Sequence, residues 1–288
     1  MHPAPPTDTS PARGSRRLAT LAVAAGVALL AVMVLPFPAA GLWPGGGYSD
    51  VSTLSAVVGR GLVRFWEAGT ADLSPELAAS VALWTRFHVV KAVLAVPLLV
   101  TSVLLGLALW RECVRSVGRG RRAWFAAAGV LETPLVLLAV LLVVANVQGA
   151  LVPLSSALGL VDVRGPEPAL ATAVRGIKDS LGTSAVVPAS PAMTRLIEDF
   201  AAYHRVMVGL GAMVTVGLVL VAARLWRRSR RTGSAQSGHS GQSARWVRLG
   251  GATAALVVAA SFALITAANL STAAHPAPAL LGFFQGSS

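Results

Sequence analysis

Five stretches of this chain are each long and apolar enough to cross a lipid bilayer, and no other feature limits its fold as strongly. A spanning helix needs roughly 20 mostly apolar residues. The stretches run from about Leu18 to Pro36, Phe87 to Trp110, Trp124 to Val147, Tyr203 to Leu225 and Leu249 to Leu270. Hydrophobic residues make up 55% of the chain and charged residues 12%, against roughly 25% charged in globular proteins. Too few polar groups remain to cover a water-facing surface, so lipid must cover much of it. The pattern predicts an all-α polytopic membrane bundle of five transmembrane helices.

The charges between the spans alternate. Arg13, Arg16 and Arg17 precede span one, and Arg111, Arg115, Arg119, Arg121 and Arg122 follow span two. After span four come Arg224, Arg227, Arg228, Arg230, Arg231, Arg245 and Arg248. These three regions contain 15 of the 24 basic residues but only two acids, Asp8 and Glu112. Positive residues stay in the cytoplasm, so the expected topology of this plasma-membrane protein has the N-terminus inside and the C-terminus outside. The net charge of +12 is therefore a topology signal, and no nucleic-acid partner is expected. The lone Cys113 makes neither an internal disulfide nor a cysteine-rich metal site.

Residues 1–14 read as a disordered cytoplasmic tail and 15–38 as the first transmembrane helix or signal anchor. Ser15-Arg16-Arg17-Leu18 is similar to the start of a twin-arginine export signal, and small residues follow at Ala39 and Ala40. Ala19 stands where such a signal has a large hydrophobic residue, which favours an uncleaved anchor.

The remaining spans form an internal duplication. Ser74-Pro75, Phe87-His88 and Leu109-Trp110-Arg111 match Ser190-Pro191, Tyr203-His204 and Leu225-Trp226-Arg227 at a constant offset of 116 residues. Ala145-Asn146, Pro153 and Gly159 match Ala268-Asn269, Pro276 and Gly282 at an offset of 123. The extra residues fall in 232–244, a Gly/Ser/Gln stretch expected to be a flexible cytoplasmic linker. Repeat 1 covers 52–162, with spans 87–110 and 124–147; repeat 2 covers 168–288, with spans 203–225 and 249–270. Two spans per unit make the repeats parallel, related by an axis along the membrane normal. Ahead of each first span, a short extracytoplasmic amphipathic helix is expected. Ser74 and Ser190 suit its N-cap, with Pro75 and Pro191 in first position. Trp84, Trp110, Trp124, Trp226 and Trp246 fit an interfacial aromatic belt.

Chemistry has few places to sit. His88 and His204 open spans two and four, while Asn146 and Asn269 close spans three and five. All four fall at similar depth near the outer face, as a ring or as two His–Asn pairs. The plain reading is that they satisfy one another or nearby backbone in a medium without water. The sharper reading is a ligand site. Two histidines at equal depth on different helices suit a haem. Span four offers Gly209 and Gly211 as space beside it, but span two has Val93 and Ala95. Glu198 and Asp199 occur in one copy only, which argues against a metal site, and no cofactor is predicted, haem included. Glu132 lies roughly 12 Å into span three, and an acid at that depth is a functional candidate by default. Its plain role is a protonated carboxyl bonded to Thr101, Ser102 or Thr215, or to a carbonyl freed by Pro134. Lys91, one turn below His88, either snorkels outward or gives the outer vestibule a positive character suited to an anionic small molecule or lipid.

Several runs carry a resemblance. Ala145-Asn146-Val147-Gln148-Gly149, Pro153-Leu154-Ser155-Ser156-Ala157-Leu158, Tyr48-Ser49-Asp50-Val51-Ser52, Arg86-Phe87-His88 and Ala268-Asn269-Leu270-Ser271-Thr272 are one set. They resemble an actinobacterial family of multi-pass integral membrane proteins without an assigned activity, sometimes labelled as twin-arginine signal proteins. A partial similarity is to anthrone-oxygenase-like membrane proteins. These pair a Pro-Leu-Asn stretch after one span with an aromatic-x-x-x-His start to the next. Trp84 with His88 and Phe200 with His204 keep the second part, whereas Pro153-Leu154-Ser155 lacks the asparagine. That similarity implies a shared four-helix scaffold.

Three functions follow in order of expectation. The first is a non-enzymatic envelope scaffold or partner-binding protein. The second binds or transports a small molecule or lipid at an extracytoplasmic site between the repeats. The third is a membrane oxidoreductase using His88 and His204.

Overall fold

The computed structural model describes residues 11–43, 50–183, 189–232 and 239–286. Tyr48, Ser49, most of the expected N-terminal tail and 233–238 of the expected linker lie outside them. Ten helices make up the described chain: α1 (Pro11–Val34), α2 (Pro36–Ala40), α3 (Val51–Ala68), α4 (Pro75–Arg115), α5 (Arg119–Leu151), α6 (Pro153–Leu158), α7 (Pro168–Thr183), α8 (Pro191–Thr232), α9 (His239–Ala274) and α10 (Pro276–Gln285). Five of them, α1, α4, α5, α8 and α9, are long and apolar enough to span a membrane.

Several helices run past the limits set by hydropathy. α4 has 41 residues, about 60 Å at 1.5 Å each, twice the roughly 30 Å of a hydrocarbon core. The expected separate outer helix is thus the first third of α4. Nothing between Pro75 and Phe87 breaks a helix, and its apolar positions continue in phase into the span. Ser74 caps it by accepting the Leu77 N–H at 3.3 Å, and Ser190 caps α8 by accepting the Met193 N–H at 3.2 Å. The expected linker is also shorter, because α9 already begins at His239.

At one end of the bundle, α3, α6, α7 and α10 fold with the first turns of α4 and α8 into a cap. Its core holds Leu54, Leu62, Phe65, Leu77, Ile177, Met193, Leu196 and Leu280, each at most 1% exposed. α3 and α7 are amphipathic helices that sequence patterning left unplaced. Asp50 caps α3 by accepting the Thr53 N–H at 2.8 Å. Gly69 ends it at φ +66°, a left-handed conformation that favours glycine. Pro153 and Pro276 each begin a short helix after a span, since proline suits a first turn. Arg164 of the α6–α7 segment donates to the Gly286 carbonyl at 2.6 Å and ties α10 to the cap.

Toward the opposite, arginine-rich end the packing thins. α4 lies along α5, α8 lies along α9, and α1 rests on α4. Val93, Leu131, Met213, Leu220, Val257 and Leu264 point outward. In water such surfaces would aggregate, whereas lipid covers them at no cost. The molecule is a multi-pass membrane protein whose most extensive hydrophobic core, among the described residues, lies in its cap.

The two hairpins close differently. In α4–α5, Val32 of α1 joins Ala95, Leu98 and Ala139 in one small core, and Leu105, Leu109, Cys113 and Phe125 form another. In α8–α9, Gly211 meets the Thr266 hydroxyl so closely that no Cβ fits. Of the five tryptophans expected at the interfaces, Trp124, Trp226 and Trp246 are half or more exposed. Trp84 is instead buried in the cap core, and Trp110 packs on Gly129.

Candidate functional site

Where the spans enter the cap, each hairpin holds one histidine against one asparagine. His88 of α4 and Asn146 of α5 are 2.9 Å apart, Nδ1 to Oδ1. His204 of α8 and Asn269 of α9 make the same contact at 2.7 Å. Of the two arrangements expected, the structure shows pairs. Each pair lies inside one hairpin, and no ring forms across them. The hairpins are linked by a residue not singled out as a site candidate: Gln148, 6% exposed, donates from Nε2 to the Tyr203 carbonyl at 3.0 Å. Its position two residues after Asn146 was the available signal.

Hydrogen-bond logic fixes the His88 tautomer. Asn146 Nδ2 donates to the Leu142 carbonyl at 2.7 Å, so its Oδ1 accepts, and His88 Nδ1 must carry the proton. Trp84 Nε1, which can only donate, gives its hydrogen to Ser156 Oγ at 3.0 Å. Ser156 Oγ then donates to His88 Nε2, also at 3.0 Å. Trp84, Ser156, His88 and Asn146 therefore form a continuous chain in which both ring nitrogens are used. The ring also lies edge-on to Trp84 and Phe87. A Cβ on Gly149 would sit 2.6 Å from His88 Nε2. This is a filled contact, and only glycine leaves room for it.

The second pair departs from the first at two positions. Phe200 stands where Trp84 does, and Ala279 where Ser156 does. Asn269 Nδ2 still donates to its own helix, at the Ile265 carbonyl, so His204 Nδ1 again carries the proton. Phe200 packs edge-on against the ring at 4.6 Å. Without the serine, His204 Nε2 has no partner among the described residues. Thr272 replaces Gly149 at the matched position. One imidazole is locked, and the other has an open acceptor.

Lys91 turns back toward the cap, with Nζ 5.1 Å from the Phe87 ring centroid. Phe87 in turn meets Phe37 of α2. The ammonium thus lies over an aromatic face, which is a favourable cation–π arrangement.

Glu132 is 9% exposed and faces α4. Its Cγ approaches Gly106, and its carboxyl faces Ser102. Glu132 Oε1 and Ser102 Oγ are both buried without a hydrogen-bonded partner. Thr101 and Thr215, the other expected partners, donate to carbonyls of their own helices. The Glu132–Ser102 layer separates the two small cores of the α1–α4–α5 unit. Among the described residues, no three His, Cys, Asp or Glu side chains are gathered for a metal.

The fold and these contacts define the class of the molecule: an all-α, polytopic membrane protein with a helical cap. No family model, curated protein or solved structure matches the chain.

Proposed function

We propose that this is a non-enzymatic protein of the cell envelope whose helical cap binds a partner protein. One observation carries the reading. A cleft of about 560 Å³ runs between α3 and the segment joining α6 to α7, with Arg60, Arg64 and Glu67 on one wall and Asp162 and Glu167 on the other. Charges of both signs at close quarters suit a peptide segment with its own alternating charges. The walls are held firmly: Leu54, Val58 and Leu62 of α3 are fully buried beneath the cleft, and Ser55 Oγ donates to the Leu160 carbonyl across it. The positive-inside rule puts this cap outside the cytoplasm.

The test is site-specific crosslinking in intact cells. Benzoylphenylalanine placed at Ala56, an exposed residue of the cleft, is expected to capture one discrete partner. Arg60→Glu with Arg64→Glu should abolish that band. A band that ignores the charge reversal, or no band above that from lipid-facing Met213, would remove the proposal.

A second reading, binding of a small molecule or lipid between the hairpins, is favoured by the open Nε2 of His204. A ligand carried through purification, lost in His204→Ala but kept in His88→Ala, is its signature. The haem alternative needs a free nitrogen on both imidazoles. His88 has none to give without losing Ser156 or Asn146.

A further inference from the structure

α1 does not pack flush on α4. A lipid-side groove of about 740 Å³ runs between them, walled by Ala24, Ala28 and Ala31 of α1 and by Leu94, Pro97 and Thr101 of α4. Its two threonines add no polarity. Thr20 Oγ1 donates to the Arg16 carbonyl at 3.0 Å and Thr101 Oγ1 to the Pro97 carbonyl at 2.7 Å. Both hydroxyls are satisfied by their own helices, so the groove is an apolar trough. Val23 and Val27 form its outer rim.

Toward the arginine-rich end, the same helix pair opens into a hollow of about 230 Å³ lined by Arg17, Leu18, Ala108, Arg111, Glu112 and Arg115. Pro97, Thr101, Ala108, Arg111 and Arg115 recur along α4 at steps of three, four and seven residues, which places trough and hollow on one helix face. Glu112 lies 3.8 Å from Arg115. Arg17 and Arg111 have no ion-pair partner among the described residues. From Arg17 to Ala31 the groove follows about 21 Å of helix, longer than the roughly 15 Å of hydrocarbon in one leaflet.

We propose that this groove is a binding site for an anionic phospholipid. The phosphodiester sits between Arg17 and Arg111, and an acyl chain fills the trough below. Arginine suits this headgroup because its planar fork donates two parallel hydrogen bonds to phosphate oxygens. Bulk lipid of any kind wets an apolar trough; the arginine-lined hollow at its end selects the anion. A second copy of the chain is a poorer occupant. Entering in the same orientation, it would bring its own Arg17 and Arg111 to the same depth, where like charges repel.

Native mass spectrometry of the full chain tests this, in micelles holding equal amounts of dioleoylphosphatidylglycerol and dioleoylphosphatidylcholine. The expected result is a retained phosphatidylglycerol, preferred on the order of tenfold. Arg17→Gln with Arg111→Gln should erase the preference, and Ala28→Phe should lower retention by filling the trough. Arg224→Gln with Arg228→Gln, on α8, should leave both unchanged. Equal retention of the two lipids, or loss of preference in the α8 pair instead, overturns the proposal. Should Ala28→Phe fail to fold, diazirine-bearing phosphatidylglycerol in nanodiscs interrogates the unaltered protein. Adducts concentrated on the trough residues of α1 and α4 support the site. Adducts spread evenly over α8 and α9, or a lipid-free dimer joined through α1, overturn it.

Discussion

His88 and Asn146 face each other across α4 and α5 at 2.9 Å, and His204 and Asn269 do so across α8 and α9 at 2.7 Å. The difference lies on the far side of each ring. Ser156 occupies His88 Nε2, whereas the matched position beside His204 is Ala279. Equal first contacts with unequal second contacts give the two imidazoles different chemistry.

That difference is measurable with diethyl pyrocarbonate, which acylates an imidazole nitrogen that holds a free lone pair. His204 is expected to react first, and His88 to stay protected while the fold is intact. Ser156→Ala should bring His88 up toward the rate of His204, because it removes the donor from Nε2. Peptide mapping by mass spectrometry reads both sites in one sample. Equal rates in the unaltered protein would show that the serine does not hold His88.

Gly149 supplies the second prediction. A methyl there would stand 2.6 Å from His88 Nε2, so Gly149→Ala must push the ring away and break its bonds to Ser156 and Asn146. Leaving such groups unpaired costs about 1–3 kcal/mol. The expected outcome is a clear fall in the thermal midpoint of the detergent-solubilised protein. In a His88→Ala background the same change should do little, because the ring it displaces is gone. Additive losses in the double variant would contradict the coupling.

Much of the fold was legible in sequence because lipid imposes a simple rule: a span must be long, apolar and helical. The candidates His88, Asn146, His204 and Asn269 were legible for a related reason, since polar side chains at matched depth in a dry medium seek each other. What hydropathy does not report is where a helix ends once it leaves the membrane, and so the first turns of α4 merged with its span. It also does not distinguish an interfacial tryptophan from a buried one. Trp84 lies in the cap, where its Nε1 reaches Ser156 of α6, whereas Trp124 lies exposed near the start of α5 at the other end of the bundle. The Trp84–Ser156 pair did leave a trace, because both residues change at the matched positions, to Phe200 and Ala279. The groove between α1 and α4 left none; it lies between two helices far apart in sequence.

Glu132 and Ser102 form the polar layer inside the first hairpin, and each has a buried oxygen without a hydrogen-bonded partner. Replacing both members of such a pair with apolar groups of similar shape is nearly neutral or stabilising. Glu132→Leu with Ser102→Ala is therefore expected to match or exceed the unaltered protein in thermal midpoint. A marked loss of stability would show that the carboxyl makes a contact essential to the fold. A stable variant that fails in the cell would place the role of Glu132 in function.

Leu62 and Arg64 stand two residues apart on α3 and should respond in opposite ways. Leu62 is fully buried in the cap core, and truncating such a leucine costs about 2–5 kcal/mol through lost transfer energy and the cavity left behind. Arg64 pairs with Glu76, but its side chain is 60% exposed, and exposed pairs contribute at most about 1 kcal/mol. Leu62→Ala is expected to loosen the cap, seen as faster proteolysis within α3 and a lower thermal midpoint. Arg64→Ala should leave both near their original values while weakening whatever binds in the cleft above. If instead the arginine change unfolded the cap and the leucine change did not, the cap would be held by its surface charges, and a partner site made of those same charges would have to be abandoned.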